Sequence, residues 1–451
     1  MQNIEEILAV LGDQLSGTNL RNFVLIVDSI LSLSSSVTML SISRMGDISY
    51  RTVQRFYALK DINWTLIRLL IFIRFVYNSS HHYLLAADET VEGKAGKSTH
   101  GIGLFYSSTH KRVINSVSFL NVSLVDTVTE KSSMIGCQQI IKTAIQQANK
   151  ASQKASKKKL KNDKTQTAKP LGRPQGSKNK PKMPPTGISY TTLDTLLKLT
   201  LNLFTIYLPN LSCFHIVLDG FYGHEDYVNL AIENKLSIIS KFKKNAHLLL
   251  QYQGLQKQNG RPKKLGDKVN LDKIDSKYFV RNILDKDAQV KTAIYQFKAH
   301  TPKIAGVLLN IVVLVHTHQT TKKESRTILF SNDLVLTDEQ IVKYYSLRFQ
   351  IEFEFRDAKQ FFGLSDFKNF KPNQVTNAVN IAFTMNLISR ILLEKYKIQF
   401  KASKMGILDL KTVFKAQKYI KSTLISNNID PDEFLSSPQF LKIARLETIH
   451  I

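Results

Sequence analysis

Two short apolar runs, 83–87 and 213–218, each lead straight into an aspartate, Asp88 and Asp219. Runs of this length without regular alternation suit strands buried on both faces, as found in the middle of a sheet covered by helices. An ionised aspartate at the end of such a strand is costly unless a positive partner meets it. Around these runs, strands and helices are mixed. Further strands are expected at 102–107, 113–125 and 236–242, and helices at about 133–151, 191–203 and 224–233. The pattern predicts an α/β layered core.

The chain has 451 residues, enough for more than one domain. Residues 1–78 read as helical and 79–242 as the first part of the core, interrupted by a basic linker at 150–187. Residues 243–330 alternate Lys-rich turns with strand-like runs and read as a β-rich insertion. Residues 331–400 return to the core, and 401–451 form a C-terminal helical segment. Within the first segment, 37–45, a turn at 46–49, and 50–60 have the form helix, turn, helix. Arg51 and Arg55, four apart, project from one face of the second piece. A helix-turn-helix DNA reader and an ordinary helical hairpin both fit.

Lys and Arg outnumber Asp and Glu by 62 to 36, a net charge of +26. Such a surplus draws in polyanions, which favours nucleic acid, with an RNA-coating or peripheral membrane protein as the plainer alternatives. Residues 150–182 hold eleven Lys and one Arg against the single acid Asp163. This stretch is a solvated arm that clamps DNA or only a solubilising insert. It includes Gly172-Arg173-Pro174, and Gly260-Arg261-Pro262 repeats the arrangement in the insertion. An extended Arg173 or Arg261 in that setting suits the narrow minor groove of A·T-rich DNA.

The two cysteines, Cys137 and Cys213, are too few for a Cys-rich zinc site, and a reducing cytoplasm is expected. The acidic and polar N-terminus lacks the pattern of a signal peptide. Asp28 breaks the apolar stretch 22–33, and Arg68 and Arg74 break 66–77, so no membrane span is expected. No phosphate-binding GxxxxGK[ST] loop occurs. His316 and His318 share one strand face but lack a third ligand, and read as ordinary strand histidines.

The most specific pattern lies at 336–364. Thr337 with Gln340 three positions on has the form of a capping box, so a helix starts there. Tyr344, Leu347, Ile351, Phe355, Ala358 and Phe362 mark a buried stripe. On one continuous helix, Tyr345, Arg348, Glu352 and Lys359 fall within roughly 40° of one another. A carboxylate there can bind a hard cation, and the basic groups can neutralise phosphate. Alternatively, Arg348 and Glu352 form a plain ion pair on an exposed face.

The spacing Tyr345-x2-Arg348-x3-Glu352-x6-Lys359 resembles the YREK signature of bacterial insertion-sequence transposases of the IS-4 type. The segment 88–97, with Lys94 and Gly96, is similar to that family's first block, and 217–223 carries its second aspartate. The resemblance runs from about 80 to 400. It implies a ribonuclease-H-like core, a mixed sheet flanked by helices. It also implies a catalytic and metal-holding triad of Asp88, Asp219 and Glu352, loaded with Mg²⁺ or, in its place, Mn²⁺. The activity implied is cleavage at transposon ends and strand transfer into target DNA by a homodimer holding paired ends at the nucleoid. Glu354 and Asp357 are competing acids, and the spacing selects Glu352. Some relatives hold a flipped base with an aromatic residue of the insertion, often Trp. Here the single Trp64 lies outside it, leaving Tyr252, Tyr278, Tyr295 or Phe297. Two rivals stand beside this reading: a nuclease of the same fold that cuts without joining, and a DNA-binding protein without catalysis.

Overall fold

The computed structural model describes residues 2–142, 188–256, 259–260, 262–285, 289–446 and 448–450. Helices Gln2–Leu8, Gly17–Ser32, Met39–Met45, Tyr50–Tyr57 and Trp64–Phe75 come first. Local chemistry sets their starts. The side chains of Ser16, Thr38, Ser49 and Asn63 each accept a backbone N–H of the first turn. These helices share the main apolar core with the rest of the chain. The wholly buried Arg68 donates to the Ile135 carbonyl at 2.9 Å, and the Trp64 indole donates to Asn377 at 2.8 Å.

Among the described residues twelve strands follow: β1 Tyr83–Gly93, β2 Gly103–Ser107, β3 Arg112–Asp126, β4 Ser132–Ile140, β5 His215–Leu218, β6 Ser237–Phe242, β7 Leu249–Gln251, β8 Leu265–Lys268, β9 Phe279–Leu284, β10 Val290–Thr301, β11 Ile304–His318 and β12 Glu324–Ser331. They form one sheet in the order β2-β3-β1-β5-β6-β12-β11-β10-β7-β8, with β4 on β3 and β9 on β10. β1, β5 and β6 are mutually parallel, and the other pairings are antiparallel. Strands from 290–331 thus continue the same sheet rather than leaving it.

Helices cover both faces. Side chains alternate along β1, so Leu85 and Ala87 enter the larger core, while Leu84 and Ala86 enter a smaller one with Ile341 and Leu347. Helices Ile188–Tyr207 and Pro372–Phe400 contribute to the larger core, and Asp338–Leu347 covers the smaller. This is the mixed sheet flanked by helices of a ribonuclease-H-like fold. Glu225–Glu233, Gln350–Phe361, Ile407–Ser426, Pro431–Leu435 and Pro438–Ala444 complete the described helices.

Three expectations are corrected. The segment from 133, expected as a helix, is β4 up to Ile140, and 143–151 lie outside the described residues. Its pairing with β3 overrides weak local preference. Helix Ile188–Tyr207 packs on it so closely that a Cβ at Gly136 would stand 2.9 Å from Leu196. Secondly, β1 does not end at Asp88 but runs on to Gly93. Its parallel pairing with β5 stops at Ala87 and Leu218, whereas the antiparallel pairing with β3 continues. Thirdly, the helix capped by Thr337 is two helices, Asp338–Leu347 and Gln350–Phe361. At the junction the backbone N–H groups of Arg348 and Phe349 donate to Tyr345 and Ser346, three residues back, a tighter turn between the two helices.

Candidate active site

Parallel pairing places Asp88 and Asp219 together. Ala87 lies opposite Leu218, so the next residue of each strand is an aspartate at the same level of the sheet. Asp88 follows Leu84 and Ala86 in the alternation and therefore faces the side covered by helix Asp338–Leu347. Beyond Asp219 the chain turns at once. Its carbonyl accepts Tyr222 N at 2.9 Å and Ser240 Oγ at 3.0 Å. A Cβ at Gly220 or Gly223 would stand 3.0 or 2.9 Å from the Lys241 carbonyl, so the turn lies against β6 as only glycine allows.

Arg348, at the helix junction, gathers the acids. One terminal nitrogen donates to Asp88 Oδ2 at 3.0 Å and the other to Glu352 Oε1 at 3.1 Å. The negative charge of Asp219 acts on both the Tyr345 phenol and Arg348, which lie beside it. The Arg348 and Asp88 side chains are 13% and 23% exposed and that of Glu352 40%, so the cluster opens to solvent on the Glu352 side.

Burial pushes the Asp88 carboxyl up to about 6. Arg348 and the Glu89 N–H oppose this, and the negative Asp219 and Glu352 add to it. Burial works against the Arg348 charge, but Asp88 and Asp219 outweigh it and hold the guanidinium above its ordinary value. Burial first, and then Asp219 against the opposing Arg348, raises the Tyr345 phenol. One positive group thus stands among three acids, and the site is short of positive charge.

Lys359 does not join the cluster at Arg348. About two turns beyond Glu352 on the same helix face, it pairs instead with Glu92 of β1, at 2.7 Å, whose side chain is 7% exposed. Glu354 and Asp357 point away from Asp88 and pair with Arg390. Arg51 and Arg55 are exposed on helix Tyr50–Tyr57, whose Val53, Phe56 and Tyr57 are buried. Arg173 and Arg261 lie outside the described residues. In the insertion, Phe297 is buried against Tyr278, Tyr295 packs on Phe279, and Lys263 lies over the Tyr252 ring. His316 and His318 bond Thr292 and the Thr320 and Thr321 N–H groups.

Sequence reasoning missed Glu92, Ser240 and Glu89, which lies 3.4 Å from the Tyr222 hydroxyl. A cue existed for Glu92 alone: it lies four residues beyond Asp88, on the same strand face.

Among the described residues, no three His, Cys, Asp or Glu side chains are grouped so that they hold a metal ion as they stand. The donor chemistry nevertheless fits a divalent cation, since all three acids offer hard oxygens and converge on one positive group. Among the described residues, no helix is long and apolar enough to cross a membrane.

No curated protein matches the chain. A profile described as DDE superfamily endonuclease matches residues 11–296. That span contains Asp88 and Asp219 and ends before the helix of Glu352. With more than half of its length matched, and with the mixed sheet and paired aspartates described above, the chain belongs to the DDE endonuclease superfamily.

Proposed function

We propose that this protein is a DNA transposase of the insertion-sequence type with the YREK signature, cutting at transposon ends and joining them to target DNA. The observation that carries the reading is the meeting of Asp88, Asp219 and Glu352 around Arg348, on segments more than 100 residues apart in sequence. A structural ion pair needs one acid for one base. Three acids with one arginine leave negative charge that a cation would neutralise.

Asp88, Asp219 and Glu352 would hold Mg²⁺, or Mn²⁺ in its place. Two such ions, when bound, activate the attacking oxygen and stabilise the leaving oxygen of an in-line phosphodiester displacement. The chain's own residues do the rest. The parallel register of β1 with β5 and the glycine turn after β5 fix Asp88 and Asp219 at one level, which orients the reacting phosphate. Arg348 is placed to neutralise phosphate oxygens beside the acids, and its planar fork suits that contact. The Tyr345 hydroxyl, beside Asp219, is placed to donate to that carboxylate.

Exposed Arg51 and Arg55 are suited to reading transposon ends, and Arg173 and Arg261 to the minor groove. A homodimer bringing two ends together at the nucleoid completes the proposal. The matched family is described as endonuclease, which favours cleavage without joining as a second reading. Incubation with Mg²⁺ and a labelled, pre-cleaved end separates the two: joined product supports the transposase, and cleavage alone supports the nuclease.

A further inference from the structure

Glu354 lies two residues beyond Glu352 and has no part in the chemistry proposed above, yet it is among the most completely buried acids, at 1% exposure. Its Oε1 accepts from Arg390 Nη1 at 3.0 Å and lies 3.0 Å from Ser132 Oγ. The same serine hydroxyl reaches the Gln350 carbonyl at 3.0 Å, so one proton serves both contacts. Asn386 donates to the Glu354 carbonyl at 2.7 Å. Arg390 also donates to the Ser132 carbonyl at 2.6 Å and approaches Asp357 at 3.7 Å. The buried Arg68 acts on Glu354 by its charge and donates to Asn380 at 2.8 Å. Four elements meet here: helix Trp64–Phe75, β4, helix Gln350–Phe361 and helix Pro372–Phe400.

Burying such groups is a poor route to stability, because desolvation offsets most of the attraction and apolar residues of similar size often do as well. Directional bonds do what apolar packing does not. Ile351, Phe355 and Ala358 fill the interface, but such contacts tolerate a small rotation of the helix about its axis. Bonds at Gln350 and Glu354 bracket Glu352 in sequence and fix both rotation and depth. The tighter turn at Arg348 and Phe349 breaks the regular bonding of the preceding helix, so these side-chain bonds add to what fixes this one.

We propose that Glu354 is a positioning residue: through Ser132 and Arg390 its carboxylate aims Gln350–Phe361 so that Glu352 and Arg348 meet Asp88. This rests on the reading of Glu352 as a catalytic acid. The test uses the full chain and a plasmid carrying the DNA that flanks the gene. Three variants are compared with wild type: Glu354→Gln, the apolar double Glu354→Met with Arg390→Met, and Glu352→Gln. Thermal melting, DNA affinity and single-turnover cleavage with Mg²⁺ are measured for each. In the double variant Asp357 keeps Arg356 at 3.1 Å, so no acid is stranded.

The double variant is expected to melt and bind DNA like wild type but to cleave about a hundredfold more slowly, the scale of a misplacement near 1 Å. Glu354→Gln keeps the shape and the serine contact but loses the charge that holds Arg390. It should recover only part of that loss, cleaving about tenfold more slowly than wild type at unchanged melting, whereas wild-type cleavage by it overturns the proposal. Wild-type cleavage by a folded double variant overturns the proposal. If the double variant does not fold, Glu354→Gln decides. Slower cleavage at unchanged melting supports positioning, whereas lower melting at unchanged cleavage shows a merely structural role and overturns it. Normal cleavage by Glu352→Gln instead removes the underlying reading, a separate outcome.

Discussion

Arg348 donates to Asp88 at 3.0 Å across 260 positions of sequence, so the helix junction and the central strand are joined at the acids. The same guanidinium reaches Glu352 at 3.1 Å. Two carboxylates held by one planar fork cannot be matched by an ammonium.

Arg348→Lys should therefore fall well short of wild type in end cleavage while keeping non-specific DNA binding, since the remaining surplus charge is untouched. Arg348→Gln should also lose stability, roughly 1–3 kcal/mol, because Asp88 is left partly buried without its partner. Single-turnover cleavage and thermal melting of the two variants check this. Wild-type cleavage by both would reduce the contact to an ion pair.

Asp88 sets a pH dependence of known sign. Its carboxyl, raised by burial from 3.8 to about 6, binds more protons in the native chain than in the unfolded one between those values. Stability therefore falls as pH rises from about 4 to about 6, and the whole cost persists above that window. The displacement corresponds to on the order of 3 kcal/mol. Asp88→Asn, melted in a chelator, should be more stable than wild type at about pH 7.5, and the two should converge near pH 4. A gap that does not narrow on acidification would contradict the cause given for it.

Lys359 and Glu92 make a different prediction from the one their sequence neighbours suggest. Glu92 is 5% exposed, and Ser365 Oγ is its other partner, at 2.8 Å. Lys359→Met should destabilise the fold by about 1–3 kcal/mol by stranding that carboxylate. Adding Glu92→Met should restore most of the loss, which chemical denaturation of the single and double variants reads directly. A single variant as stable as wild type would show that the pair contributes nothing.

The contrast shows where sequence reasoning reaches. Asp88 and Asp219 were legible because an acid after an apolar run violates a strong rule, and the Thr337 capping box carries its own signature. Helix Asp338–Leu347 begins where that box places it, with Thr337 and Gln340 bonded reciprocally. The break at Arg348 and Phe349 has no glycine or proline to announce it, and the Glu92 that pairs with Lys359 comes from a distant strand. β4 was missed because Ser132–Ile140 contains residues that accept either state, and its partner strand decides. The Glu354 contacts with Ser132 and Arg390 join distant segments, and neither spacing nor composition encodes them.

The basic stretch 152–182 yields a prediction from charge alone. Each Lys or Arg that neutralises a phosphate contributes about 0.9 to the slope of log K against log salt. Deleting the stretch should weaken DNA binding and flatten that slope, measured by fluorescence anisotropy over a salt series. An unchanged slope would make it an inert insert.

Asp88→Asn, Asp219→Asn and Glu352→Gln test the central claim most directly. Each should fold and bind DNA yet lose cleavage and joining with Mg²⁺ by several orders of magnitude, since each removes a charged ligand worth several kcal/mol in the transition state. The measurement is single-turnover release and joining of a labelled transposon end by each purified variant. Loss in all three with binding intact is the predicted result. Near-normal joining by any one would contradict its place in the triad.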